Sequence, residues 1–107
     1  MHEKGLSWKE HLLDLGRKEQ LDPQYLELNP NGVVPTLVHD GAVITDSSAI
    51  CEYIEEVYPH PHFSPDTPVA RAKMRAWIRY LEDAPTVAVR VASFNMAFLP
   101  SFEGQDD

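Results

Sequence analysis

The chain has 107 residues, of which 43% are hydrophobic and 24% charged, and its 9 Lys and Arg stand against 17 Asp and Glu for a formal net charge of −8. That is one domain's worth of polypeptide, enough to bury roughly 65% of its unfolded surface, which excludes two complete domains. The acidic balance excludes nucleic acid and an anionic membrane surface as partners, since both need clustered Lys and Arg.

Met1 to Gly5 lacks the basic end and apolar stretch of a signal peptide, and no apolar run approaches ~18 residues. A single cysteine, Cys51, cannot close an intramolecular disulfide. Both features predict a cytoplasmic protein. Glu3-Lys4-Gly5 reads as a last helical turn with its glycine cap. The imperfect alternation of Trp8, His11, Leu12, Leu13 and Leu15 predicts a strand around Lys9 to Asp14. Asp22-Pro23 supplies an Asp cap and a first-turn proline for a short helix through Tyr25 and Leu26, which Asn29-Pro30-Asn31-Gly32 breaks.

Thr36-Leu37-Val38-His39 and Ala42-Val43-Ile44-Thr45 are β-rich runs on either side of Asp40-Gly41, two residues suited to positive φ. They predict a tight hairpin pairing His39 with Ala42, Val38 with Val43, Leu37 with Ile44 and Thr36 with Thr45. Both of its faces are apolar, which predicts a sheet covered on both sides. Asp46-Ser47-Ser48 then opens a helix through Ile50, Tyr53, Ile54 and Val57 that Tyr58-Pro59 closes. A proline-rich linker covers residues 60–67. Thr67-Pro68 caps a long amphipathic helix marked by Met74, Trp77, Ile78, Leu81, Ala84, Ala88, Val91, Phe94 and Phe98. Pro85 would clash with the Leu81 carbonyl and predicts a kink or break there. Ser101 to Asp107 reads as a loose polar tail.

Few residues carry chemistry on their own terms. Proline at a strand's first position is an ordinary start, and only ~5% of X-Pro bonds in folded proteins are cis, so Val34-Pro35 alone would be trans. Asp46-Ser47 at a helix N-terminus could hold a small carboxylate, though plain capping explains it as well. Cys51 reads as a half-buried structural thiol, and His60 and His62 as solvated residues without a third metal ligand. Glu55-Glu56 and Glu82-Asp83 read as exposed helix faces, since adjacent side chains diverge by ~100°. No metal site is expected.

The run Asn29-Pro30-Asn31-Gly32-Val33-Val34-Pro35-Thr36-Leu37-Val38-His39-Asp40-Gly41, followed by Ile44 to Ile54, resembles the second half of the thioredoxin-like domain of bacterial-type cytosolic glutathione transferases. Glu3 to Leu6 resembles the end of that family's first helix, and Pro65 to Trp77 its linker and first C-terminal helix. The resemblance implies an α/β fold: an incomplete thioredoxin-like glutathione-binding domain over 1–59 and the first helix of an all-helical domain over 68–107. It implies that Val34-Pro35 is cis, with the Val34 backbone pairing to the cysteinyl part of glutathione as an added strand. It further implies that Pro35 shapes the site, that Ser47 holds the γ-glutamyl carboxylate, and that Asp46 lies near the γ-glutamyl ammonium, where the family usually has Glu. Gly32 and Val33 stand where the family often has polar or basic residues for the glycyl carboxylate, a role left to Lys9 or His11.

Glutathione is thus the expected co-substrate and a hydrophobic electrophile the expected partner. The family's thiol-activating residue follows its first strand, which precedes this chain, so the catalytic residue is unknown and the chain reads as a fragment or truncated form. A non-enzymatic binding module is the alternative. The strand edges beside the absent strand, and the apolar face of the last helix, predict a homodimer.

Overall fold

The computed structural model describes residues 1–98. They fall into two compact units, residues 1–64 and a second from Pro65 onward.

In the first unit, His2–Lys4 forms one 3-10 turn, closed by Gly5 at φ 63 with its N–H on the His2 carbonyl. This is the capped helical turn read from Glu3-Lys4-Gly5. Residues 6–14 then run without regular structure, so the expected Lys9 to Asp14 strand is absent. A strand forms only beside a partner that takes its N–H and C=O groups, and among the described residues the sheet contains the two hairpin strands alone. Leu12, expected to help pack that strand, is 83% exposed. A turn at Asp14, whose Oδ1 accepts from the Arg17 N–H at 3.1 Å, leads into a 3-10 turn at Glu19–Leu21.

Helix α1 is Pro23–Leu26. Its proline stands where the sequence placed it, but the Asp22 side chain makes no cap bond. The Asp22 carbonyl instead accepts from the N–H groups of Tyr25 and Leu26, both at 2.9 Å.

Strands β1 (Thr36–His39) and β2 (Ala42–Thr45) form the expected hairpin in the expected register. Asp40 at φ 49 and Gly41 at φ 81 give the left-handed pair that a two-residue turn between right-twisting strands requires. Side chains alternate across the hairpin. Leu37, His39 and Ile44 lie on the face toward helix α2 (Ser47–Val57), which contributes the buried Ile50 and Ile54. On the other face, Val38 and Val43 are 53% and 42% exposed. The expectation of a sheet covered on both sides therefore fails among the described residues: α1 reaches only the Thr36 end of that second face.

His39 fastens the hairpin to α2 and to the residue that closes it. Its Nδ1 lies 2.8 Å from the Tyr53 hydroxyl and its Nε2 3.0 Å from that of Tyr58.

In the second unit, the Thr67 hydroxyl caps α3 (Pro68–Asp83) by accepting from the Ala70 N–H at 3.2 Å. The long helix breaks at Pro85, as its ring chemistry requires, and α4 (Pro85–Ser93) starts with that proline at its first position, where no N–H is needed. The Thr86 hydroxyl donates to the Leu81 carbonyl at 2.6 Å across the break. A π-helical turn follows at Phe94–Phe98. Among the apolar stripe, Met74 and Ile78 are half-buried, whereas Trp77, Leu81 and Val91 are 65%, 51% and 59% exposed. No helix among the described residues is long and apolar enough to cross a membrane. The tail expected at Ser101 to Asp107 lies outside the described residues.

Candidate functional site

The hairpin register builds the site. Thr36 pairs with Thr45 at the open end, so the residues one step beyond, Pro35 and Asp46, emerge side by side, with Val34 and Ser47 next to them. Two features that the sequence offered as unrelated, a strand start and a helix cap, thereby become one surface.

Val34-Pro35 is cis, and so is His60-Pro61, which the sequence reading did not anticipate. Val34 is 44% exposed, and its N–H and C=O have no partner among the described residues.

Across from it, Asp46 takes φ 73, which few residues other than glycine adopt, and caps α2. Its Oδ1 accepts from the Ser48 hydroxyl at 2.5 Å, the Ser48 N–H at 2.9 Å and the Ala49 N–H at 3.0 Å. These bonds, the Ser48 hydroxyl foremost, lower the pKa of its carboxyl below the ordinary value against a smaller opposing effect of desolvation. The capping role is thus occupied by Asp46, not Ser47. Ser47 is exposed, and its hydroxyl has no partner among the described residues. Its N–H is one of the first-turn donors that an α-helix cannot satisfy internally, and the positive end of the helix dipole adds to it. Val34 and Ser47 together offer two backbone donors, one backbone acceptor and a hydroxyl on one exposed edge, a set suited to a short peptide with a free carboxylate.

Two residues that sequence reasoning passed over hold this edge in place. In the sequence Tyr25 is a residue of the short helix and Asn29 part of its breaker. The Tyr25 hydroxyl donates to the Val33 carbonyl at 2.6 Å and lies 2.8 Å from Thr36 Oγ1. Asn29, a fully buried polar side chain, donates from Nδ2 to the Val33 carbonyl at 2.7 Å and to Thr36 Oγ1 at 3.3 Å, while its Oδ1 accepts from the Asn31 N–H at 3.2 Å. An Asn directly ahead of a Pro-Asn-Gly turn was the available signal, since such side chains bond to the backbone they precede.

Glu55 is no solvated helix face: only 15% of its side chain is exposed, and it pairs with Lys4. His62 is no free solvated residue, its Nδ1 lying 2.7 Å from Glu55 Oε1. Cys51 is exposed rather than half-buried. Lys9 and His11, the proposed helpers for a glycyl carboxylate, lie exposed on the irregular segment. Among the described residues no group of three His, Cys, Asp or Glu could hold a metal ion.

The N-terminal domain model of the glutathione S-transferases matches residues 1–57. Protein LigF of Sphingobium sp. is 40% identical over 85 residues, covering 78% of this chain and 33% of LigF, so the chain spans about a third of that curated relative. The crystal structure of the β-etherase LigF from Sphingobium sp. strain SYK-6 superposes with a TM-score of 0.91 at 32% identity, over 99% of this chain and 44% of that one. A glutathione transferase homologue from Sulfitobacter, solved with bound glutathione, gives a TM-score of 0.78 at 28% identity, over 99% of this chain and 49% of that one. The fold is accordingly α/β, part of a thioredoxin-like domain followed by the beginning of a helical one. With its hairpin, its α2 and the whole stretch 1–57 matching that domain model, the chain belongs to the glutathione S-transferase family.

Proposed function

We propose that the open end of the hairpin binds glutathione, with Val34 pairing its backbone to the cysteinyl residue, Pro35 shaping that edge and Ser47 holding the γ-glutamyl carboxylate. Asp46 contributes by presenting Ser47: its carboxylate takes the Ser48 and Ala49 donors, which leaves the Ser47 N–H and hydroxyl for ligand. Asp46 also brings a negative charge near the γ-glutamyl ammonium. The observation that carries this reading is the register, Thr36 opposite Thr45, which sets Val34 and Ser47 at one edge. The bound glutathione of the Sulfitobacter homologue supports the ligand class.

In the whole protein the bound thiol would attack a hydrophobic electrophile as a thiolate, which is conjugation by nucleophilic transfer. A cytoplasmic setting, where glutathione is abundant and the lone Cys51 stays reduced, fits that chemistry. The exposed Trp77, Leu81 and Val91 and the exposed Val38–Val43 pair favour a homodimer with an apolar interface.

Titration calorimetry of this chain with glutathione tests the reading. Saturable one-site binding is expected, and heats no larger than dilution would remove it. A parallel assay with a chromogenic electrophile separates a transferase, which turns over, from a binding module, which does not.

A further inference from the structure

We infer that Tyr25, Asn29 and Thr36 form a closed hydrogen-bonded ring whose function is to aim the Val34 N–H at the ligand. This inference rests on the glutathione reading above.

The protons can be assigned one by one. The single Tyr25 hydroxyl proton goes to the Val33 carbonyl. The 2.8 Å contact between Tyr25 and Thr36 must then use the Thr36 proton, donated to the Tyr25 oxygen. The two Asn29 amide protons go to the Val33 carbonyl and to Thr36 Oγ1. Each donor is used once, and the Val33 carbonyl has both of its lone pairs filled from the α1 side. Asn29 itself cannot turn, because it is fully buried with Oδ1 bound to the Asn31 N–H and its own N–H on the Tyr25 carbonyl at 2.9 Å. Gly32 presses the same loop inward: a Cβ there would lie 2.7 Å from Leu21 Cδ2.

The Val33 carbonyl and the Val34 N–H belong to one planar peptide unit. That unit is not one of the two cis bonds, so the two groups point in opposite directions. Two donors that draw the carbonyl toward α1 therefore turn the Val34 N–H outward, away from α1. Without the ring the peptide plane could rotate, and the ligand would have to bear the cost of ordering it. Tyr25, Asn29 and Thr36 are thus positioning residues, acting through the backbone of Val33 and Val34.

The test uses the full chain and glutathione as the probe. Tyr25→Phe and Thr36→Val keep shape and remove one ring member each, and both should raise the glutathione Kd about three- to tenfold, the worth of one neutral hydrogen bond. Thr36→Ser, which restores the hydroxyl, should return the Kd to the wild-type value. A purely structural role would lower the unfolding midpoint and leave Kd unchanged among the folded variants, which would overturn the inference while leaving the glutathione reading intact. A Thr36→Ser variant as weak as Thr36→Val would also overturn it. If the wild-type chain shows no glutathione-dependent shift of the Val34 and Ser47 amide resonances, both the site and the ring's role fall together.

Discussion

Lys4 and Glu55, 51 positions apart in sequence, form an ion pair of 2.6 Å with only 5% and 15% of their side chains exposed. The Lys4 ammonium also donates to the carbonyls of Tyr58 at 2.7 Å and Pro61 at 2.8 Å and lies 4.8 Å from the centre of the Phe63 ring. Glu55 in turn accepts from the N–H groups of Phe63 and Ser64, both at 3.0 Å. One charge pair thus ties the first helical turn to the segment that follows α2.

The Lys4 contact, followed by the Ser64 and Phe63 N–H groups, pulls the Glu55 carboxyl down from its ordinary value of 4.5 to about 2. A group whose pKa is depressed on folding stabilises the native state above its unfolded pKa and loses that contribution as pH falls through the native one. Stability should therefore fall between about pH 4.5 and 2, and Glu55→Gln should flatten that slope. Urea unfolding midpoints measured from pH 2 to 6 check it, and an unchanged slope in the variant would refute the assignment.

Gly32 stands at φ 61 with Leu21 Cδ2 only 2.7 Å from where a Cβ would be. Gly32→Ala combines left-handed strain with overpacking and should lower stability by about 2 to 4 kcal/mol. Gly41, at φ 81 with open space around it, carries the strain alone, so Gly41→Ala should lower it by about 1 to 2 kcal/mol. Denaturant titration of the pair distinguishes the two contributions.

At the N-terminus of α2 the cap lies on Asp46 and the carboxylate contact on Ser47, so their effects on stability are separable. Ser47→Ala should weaken glutathione binding by about 1 to 3 kcal/mol, the range for a hydrogen bond to a charged group. It should leave the melting temperature unchanged, because the Ser47 hydroxyl has no partner in the chain among the described residues. Asp46→Ala should lower the melting temperature, by removing the acceptor of the Ser48 and Ala49 donors, and should weaken glutathione binding as well, by removing the charge beside the γ-glutamyl ammonium. Asp46→Asn, which keeps an acceptor and tolerates positive φ, should restore most of the melting temperature. Calorimetric Kd values and thermal melts on the three variants check both halves.

Ile54, 8% exposed, packs in the small core beneath the hairpin, and Ile54→Ala should cost about 2 to 5 kcal/mol. Val57 lies on the same helix at 41% exposure, and Val57→Ala should cost less than about 1 kcal/mol. Equal losses at the two positions would mean that α2 is turned differently on the hairpin.

What could be read in advance was local. The hairpin and its register follow from alternation and from one dipeptide that accepts positive φ, the α2 boundaries from Asp46 and Pro59, and the helix break from Pro85. In each case the deciding interactions lie within a few residues of one another, and the order of residue types records them. The failed strand at Lys9 to Asp14 marks the boundary of that method. Its residues alternate well enough, but a strand exists only where a neighbour takes its backbone groups, and no strand of the described chain does so.

The candidate site was legible only in part, and for the same reason. Val34, Pro35, Asp46 and Ser47 were found through family resemblance, since proline before a strand and Asp-Ser before a helix are each ordinary on their own. Their meeting at one edge comes from the Thr36–Thr45 pairing. Tyr25 and Asn29 were missed because their partners are a backbone carbonyl and a hydroxyl presented by the folded loop. Lys4 and Glu55 were missed because nothing in a sequence records which charges approach over 51 positions. Sequence alone determined those elements of this protein whose hydrogen bonds run between near neighbours, the hairpin and the capped helices. Only the tertiary structure decided which polar groups are buried and paired, because burial depends on what the rest of the chain lays over them.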